Sequence, residues 1–127
     1  MQIQAAENNY SLVQFSDAER DVFAKTLPFL DENYDDLEFS FREFSKDDLN
    51  SLEAKIKAGA SHSLSPTEVR TLGSVLSYIS NFLEDFFEDE DPSKLSESHL
   101  DAAIEMYKSV VARLKAVNDS AYGAKNG

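Results

Sequence analysis

The sequence predicts a helix-dominated α+β domain, with an all-helical bundle as the alternative. Three observations lead there. A serine-headed helix start recurs four times, apolar residues spaced by three and four follow each start, and strictly alternating stretches occur in the first third of the chain. At 127 residues, with no linker and no low-complexity tract, residues 1–127 read as one domain.

The N-terminal stretch 2–15 holds two short alternating runs, Gln2–Ala5 and Tyr10–Phe15, separated by Glu7-Asn8-Asn9. This reads as a small antiparallel hairpin in which asparagine supplies the unusual turn conformations. Leu37, Phe39 and Phe41 alternate with Glu38, Ser40 and Arg42, which predicts a further strand over about 37–43. Tyr34, Leu37, Phe41 and Phe44 also match a helical face, so the period of residues 34–44 is ambiguous.

The four helix starts are Phe15-Ser16 with Glu19, Phe44-Ser45 with Asp48, Leu64-Ser65 with Glu68, and Leu95-Ser96 with His99. In each, the serine hydroxyl is placed to accept a first-turn N–H, and an acidic side chain three residues on can reciprocate; the fourth start has His99 instead of a carboxylate. Leu49, Val69 and Leu100 stand where a hydrophobic staple needs them, while the first start has Arg20 there. Pro66 falls at the first helical position, where its missing N–H costs nothing.

The helices so predicted cover about 17–31, 46–58, 66–88 and 97–117. Pro28 should kink or end the first, and Gly59 should stop the second. The third carries Val69, Leu72, Leu76, Ile79, Leu83 and Phe86, with Val75, Tyr78 and Phe82 as a second stripe, so it should be central. Gly73 inside it costs about 1 kcal/mol relative to alanine, which points to close approach of a neighbouring helix. The fourth should pack through Leu100, Ile104, Tyr107, Val111, Leu114 and Val117, antiparallel to the third across a short loop. Residues 118–127 read as a polar, flexible tail.

Charge and composition exclude several classes of function. The formal net charge is −12, so the long-range field repels nucleic-acid phosphates and anionic membranes. Without cysteine there is no thiolate catalysis, disulfide or Cys-based metal centre. Residues 1–9 carry neither a basic residue nor an apolar run of signal-peptide length, and no apolar run is long enough for a membrane span. A soluble, cytoplasmic protein is the expectation. Four glycines in total leave no phosphate-binding loop, dinucleotide fingerprint or Gly-x-Ser-x-Gly elbow. His62, in a serine-rich stretch, reads as a loop surface residue, and His99 as a partly exposed helix-start residue. They do not form a metal-ligand spacing, and no cofactor is implied.

Two acidic runs carry the strongest functional signal. One is Glu84, Asp85, Phe86, Phe87, Glu88, Asp89, Glu90 and Asp91, at the predicted C-terminal end of the long helix, where the macrodipole is already negative. The other contains Asp31, Glu32, Asp35, Asp36 and Glu38. The first run lacks the glycine and the alternating oxygen ligands of a calcium loop. Phe39, Phe41, Phe44, Phe82, Phe86 and Phe87 are candidates for an apolar patch, against the plainer reading that they fill the core.

The expected function is therefore non-enzymatic: an acidic, partly aromatic surface presented to a protein partner, a basic one fitting best. A nucleic-acid mimic that blocks a basic DNA- or RNA-binding protein, a small enzyme using buried carboxylates, and a homo-oligomeric structural subunit are the alternatives.

Overall fold

The computed structural model describes residues 1–36, 44–81 and 95–126, with 36 and 118–126 as backbone only. The chain is α+β and helix-dominated, as its sequence predicts. Its order is β1 (Gln2–Ala5), β2 (Ser11–Gln14), α1 (Asp17–Glu32), α2 (Lys46–Ala58), β3 (Ser61–Leu64), α3 (Pro66–Asn81) and α4 (Glu97–Asn126), with 3₁₀ turns at Glu7–Asn9 and Tyr34–Asp36. Among the described residues no helix is long and apolar enough to cross a membrane.

The sheet is antiparallel in the order β1-β2-β3. Asn8 and Asn9 turn the hairpin at φ 58° and 63°, the left-handed region asparagine tolerates. Val13 and Leu64 face the core, while Gln2, Gln4, Leu12, Gln14, Ser61 and Ser63 face outward. The presence of a sheet removes the all-helical alternative. Its third strand is Ser-His-Ser-Leu, with one strongly apolar residue, so alternation alone could not reveal it. His62 is accordingly a half-buried strand residue opposite Val13, not loop surface, and its Nε2–H donates to Gly59 O at 2.8 Å. The strand predicted over 37–43 lies outside the described residues.

All four helices start directly after the serines that the sequence places before them. Ser16, Ser45 and Ser65 each accept from the N–H three residues on, and Glu19, Asp48 and Glu68 return the bond to the serine N–H. At α4, His99 replaces the carboxylate: its Nδ1 accepts the Ser96 N–H at 3.0 Å. Glu19 is buried, and its second carboxylate oxygen pairs with the α-amino group of Met1. Phe15, lacking a staple partner at Arg20, packs edge-on against Phe23 at 5.6 Å.

Pro28 does not end α1, which continues to Glu32. Leu27 and Leu30 are buried on either side of it while the proline faces solvent, so tertiary packing carries the helix past the missing N–H. Helix α2 ends at Ala58, as Gly59 predicts.

Helix α3 is the central element. Val69, Leu72, Val75, Leu76, Tyr78 and Ile79 are all buried, with Gly73 and Thr71 among them. The stretch 82–88 predicted to continue it lies outside the described residues. A Cβ at Gly73 would stand 3.2 Å from Val110 Cγ1 and 3.4 Å from Leu114 Cδ1 of α4, the close approach that the glycine implies.

That crossing also corrects the predicted face of α4. Ala103, Met106 and Val110 are the buried residues, Leu100, Tyr107 and Leu114 flank them, and Ile104 and Val111 are 46% and 44% exposed. Seating Val110 over Gly73 rotates the helix so that these two β-branched residues face water. Helical backbone also continues through Asn126, past the end predicted at 117. Phe44, a candidate for a surface patch, is buried. The other phenylalanines proposed for that patch lie outside the described residues.

Gly73→Val should destabilise the chain by about 1–3 kcal/mol, because a branched side chain overfills the α3–α4 crossing. Urea unfolding followed by far-ultraviolet circular dichroism measures this, and Gly73→Ala should cost less, since its helix preference offsets the contact at 3.2 Å.

Candidate functional site

Asp31 and Glu32 close α1, and Asp35 and Asp36 fall in the following 3₁₀ turn. The last turn of α1 and the 3₁₀ turn hold no basic residue. Carboxylates at a helix C-terminus oppose its dipole, each by a few tenths of a kcal/mol or roughly that when exposed. Asp31 Oδ1 is buried with no hydrogen-bond donor among the described residues. Tyr34 anchors the segment, its hydroxyl donating to Phe44 O at 2.7 Å and its ring tilted against Phe44. The second acidic run, Glu84, Asp85, Phe86, Phe87, Glu88, Asp89, Glu90 and Asp91, lies outside the described residues.

Cations of the folded body are directed elsewhere. Arg20 Nε and Nη2 donate to Ile56 O at 3.2 and 3.1 Å, and Nη2 to Lys57 O at 3.3 Å, so this guanidinium covers the C-terminal carbonyls of α2. Arg113 of α4 donates through Nε to the buried Ser11 hydroxyl at 2.7 Å and through Nη2 to Tyr10 O at 3.0 Å, pinning the hairpin. Lys55 donates to Ser63 O at 3.1 Å and to Glu68 Oε1 at 2.8 Å, and stands 2.8 Å from Oε2 as an ion pair. Lys25, Lys57 and Lys108 pair with Asp21, Glu53 and Glu105 on their own helices.

A groove of about 320 Å³ opens between α1 and α2. Phe23, Ala24, Leu27 and Ile56 form its apolar lining, and Asp17, Arg20, Asp21, Glu53 and Lys57 its charged one. Asp17, Asp21 and Ala24 lie on one stripe of α1 because they are four and three residues apart. Pro28 has no N–H to donate to the carbonyl of Ala24, four residues before it.

From this groove a polar chain runs to α4. His99 Nε2 lies 2.7 Å from Asp21 Oδ2, and Nδ1 lies 2.9 Å from Ser96 Oγ and 3.0 Å from Ser96 N. Serine, histidine and aspartate in succession suggest a nucleophile and its base. The Nδ1 lone pair, however, already accepts the N–H of Ser96, the residue just before α4, so the geometry reads as capping. Sequence inspection placed His99 at a helix start but missed Asp21, 78 positions away. The only available signal was a titratable ring in place of a capping carboxylate. Among the described residues, no three His, Asp or Glu side chains gather as a metal site would require.

Two carboxylates have lowered pKa values. Burial pushes Glu68 up, but the bonds from Lys55 and Ser65 and the lysine charge outweigh it. Burial likewise pushes Asp21 up, and is outweighed by the hydrogen bonds and charges of Lys25 and His99. Compared with family models, curated proteins and solved structures, the chain has no significant match.

A depressed folded pKa stabilises the fold above the unfolded value and ceases to do so as pH falls through the folded one. Glu68→Gln should therefore cost about 1 kcal/mol at pH 7, the size of a charge-assisted cap. The deficit should shrink as pH drops below 4.5, the ordinary glutamate value. Urea midpoints of both proteins at pH 7, 5 and 3 measure it.

Proposed function

We propose that the chain is a non-enzymatic interaction protein of the cytoplasm, which offers acidic surface to a basic protein partner. The observation that carries this reading is the division of charge. The chain has twenty-four acids and twelve bases. Arg20, Lys25, Lys55, Lys57, Lys108 and Arg113 are all engaged within the fold. Asp31, Glu32, Asp35 and Asp36 gather where the helix dipole opposes them and no basic side chain sits in the same turns. Cationic side chains of a partner would relieve that repulsion.

The run 84–91 belongs to the same reading by its composition, with Phe86 and Phe87 as apolar anchors among the acids. Nucleic acid and anionic lipid are disfavoured as direct ligands by the net charge of −12. The absent nucleophile elbow, phosphate loop and cysteine agree with an activity that is binding alone.

The test is affinity capture on the full chain with salt-gradient elution, followed by titration of the retained partner. The combined variant Asp31→Asn, Glu32→Gln, Asp35→Asn, Asp36→Asn should weaken binding by about tenfold at low salt, a few tenths of a kcal/mol per charge, and flatten its salt dependence. Equal affinity and equal salt slope in variant and wild type would refute the assignment of this surface.

A further inference from the structure

We propose that His99 is a proton-operated latch joining the first turn of α4 to α1, and that it closes the α4 N-cap only when neutral. The two nitrogens of the ring have different partners. Nδ1 faces the Ser96 N–H at 3.0 Å, and a ring nitrogen can accept that bond only if it carries no proton. The remaining proton of the neutral ring then sits on Nε2, which donates to Asp21 Oδ2 at 2.7 Å. The capping bond thus selects the tautomer, and the tautomer makes the bridge to α1.

A second proton can enter only at Nδ1. There it meets two groups: the Ser96 N–H, a donor that it must repel, and the Ser96 hydroxyl at 2.9 Å, which can accept it. Protonation therefore exchanges one bond for another: the Ser96 N–H loses its acceptor, and the Ser96 hydroxyl oxygen accepts from Nδ1–H, leaving its own proton for the Ser98 hydroxyl 2.9 Å away. The bridge to Asp21 becomes an ion pair, and the net charge of the Asp21–His99 pair changes from −1 to 0 at the lining of the α1–α2 groove. The other three helix starts use Glu19, Asp48 and Glu68 at this position, and a carboxylate keeps its acceptor throughout the range in which histidine titrates.

The charged surroundings are specific. From α1, Asp21 touches the ring and Lys25 stands 3.2 Å from the same carboxylate oxygen, with Asp17 and Arg20 further along the groove. From α2, Glu53 and Lys57 line the groove that Asp21 also lines. On α4 itself Glu97 and Asp101 flank the ring in sequence, and the described charged residues of α3, Glu68 and Arg70, lie in its first turns at the other end of that helix.

Nuclear magnetic resonance on the nitrogen-15-labelled full chain between pH 5 and 8 tests the latch. The neutral His99 ring should show the Nε2–H tautomer. As it protonates, the Ser96 amide proton should shift upfield with the same midpoint. Exchange at that amide, corrected for its intrinsic pH dependence, should rise by about tenfold, the effect of losing one hydrogen bond. In His99→Gln the side-chain carbonyl replaces Nδ1 as a capping acceptor that does not titrate, so the Ser96 amide should stay flat. His62→Gln, a change in β3 away from the cap, should leave the wild-type behaviour intact. A Ser96 amide that is flat through the wild-type His99 titration, a neutral ring protonated on Nδ1, or a Ser96 titration that persists in His99→Gln would each overturn the proposal. The tautomer and the wild-type titration decide it even if the glutamine variant does not fold.

Discussion

The close crossing of α3 and α4 at Gly73 is the contact on which the rest of the structure depends. A residue without a side chain lets Val110 and Leu114 approach there without the tight contacts, 3.2 and 3.4 Å, that a Cβ would make. Once Val110 is seated, the rotation of α4 about its own axis is fixed. Ala103 and Met106 then turn inward, Ile104 and Val111 turn outward, and the polar residues of the helix acquire definite partners. His99, Met106 and Arg113 follow one another at seven-residue intervals, so they share a face. Near one end of α4 His99 reaches Asp21 of α1, and further along Arg113 reaches Ser11 and Tyr10 of the hairpin. One packing decision thus positions two long-range polar contacts that a helix free to rotate would not make.

Folding also sorts the charges. Six of the cationic side chains finish on carbonyls, a hydroxyl or neighbouring carboxylates, as Arg20 does at the end of α2 and Lys55 between Ser63 and Glu68. Exposed pairs of this kind contribute little to stability, so their main consequence is electrostatic. They partly neutralise these cations in a chain that has half as many bases as acids. The acidic end of α1 is left with its own dipole against it, a natural place for an external cation to bind.

How much of this was legible in the residues depended on range. The serine caps rest on contacts three residues long, and all four were readable, as were the turn asparagines and the glycine of the helix crossing. Pro28 left open whether the first helix would kink or end there, and the burial of Leu27 and Leu30 goes with its continuing to Glu32, one residue past the predicted range. Strand β3 was hidden because a Ser-His-Ser-Leu strand acquires its identity from Val13 and its neighbours, not from its own pattern. The face of α4 was misjudged because Leu100, Ile104, Val111 and Leu114 satisfy a helical period as well as the true contact set does. Only the position of Gly73 on another helix breaks that tie. The Asp21–His99 bridge spans 78 positions and leaves no mark in either local segment.

Native-state hydrogen exchange across a series of low urea concentrations tests the organising role of the α3–α4 crossing most directly. The account predicts that amides around Gly73 and Val110 share the highest opening free energy, and that the β1–β2 hairpin and the start of α1 lose protection no later than this seam does. A hairpin or an α1 that keeps full protection after the seam has opened would contradict it, since the crossing could not then be what holds them in place.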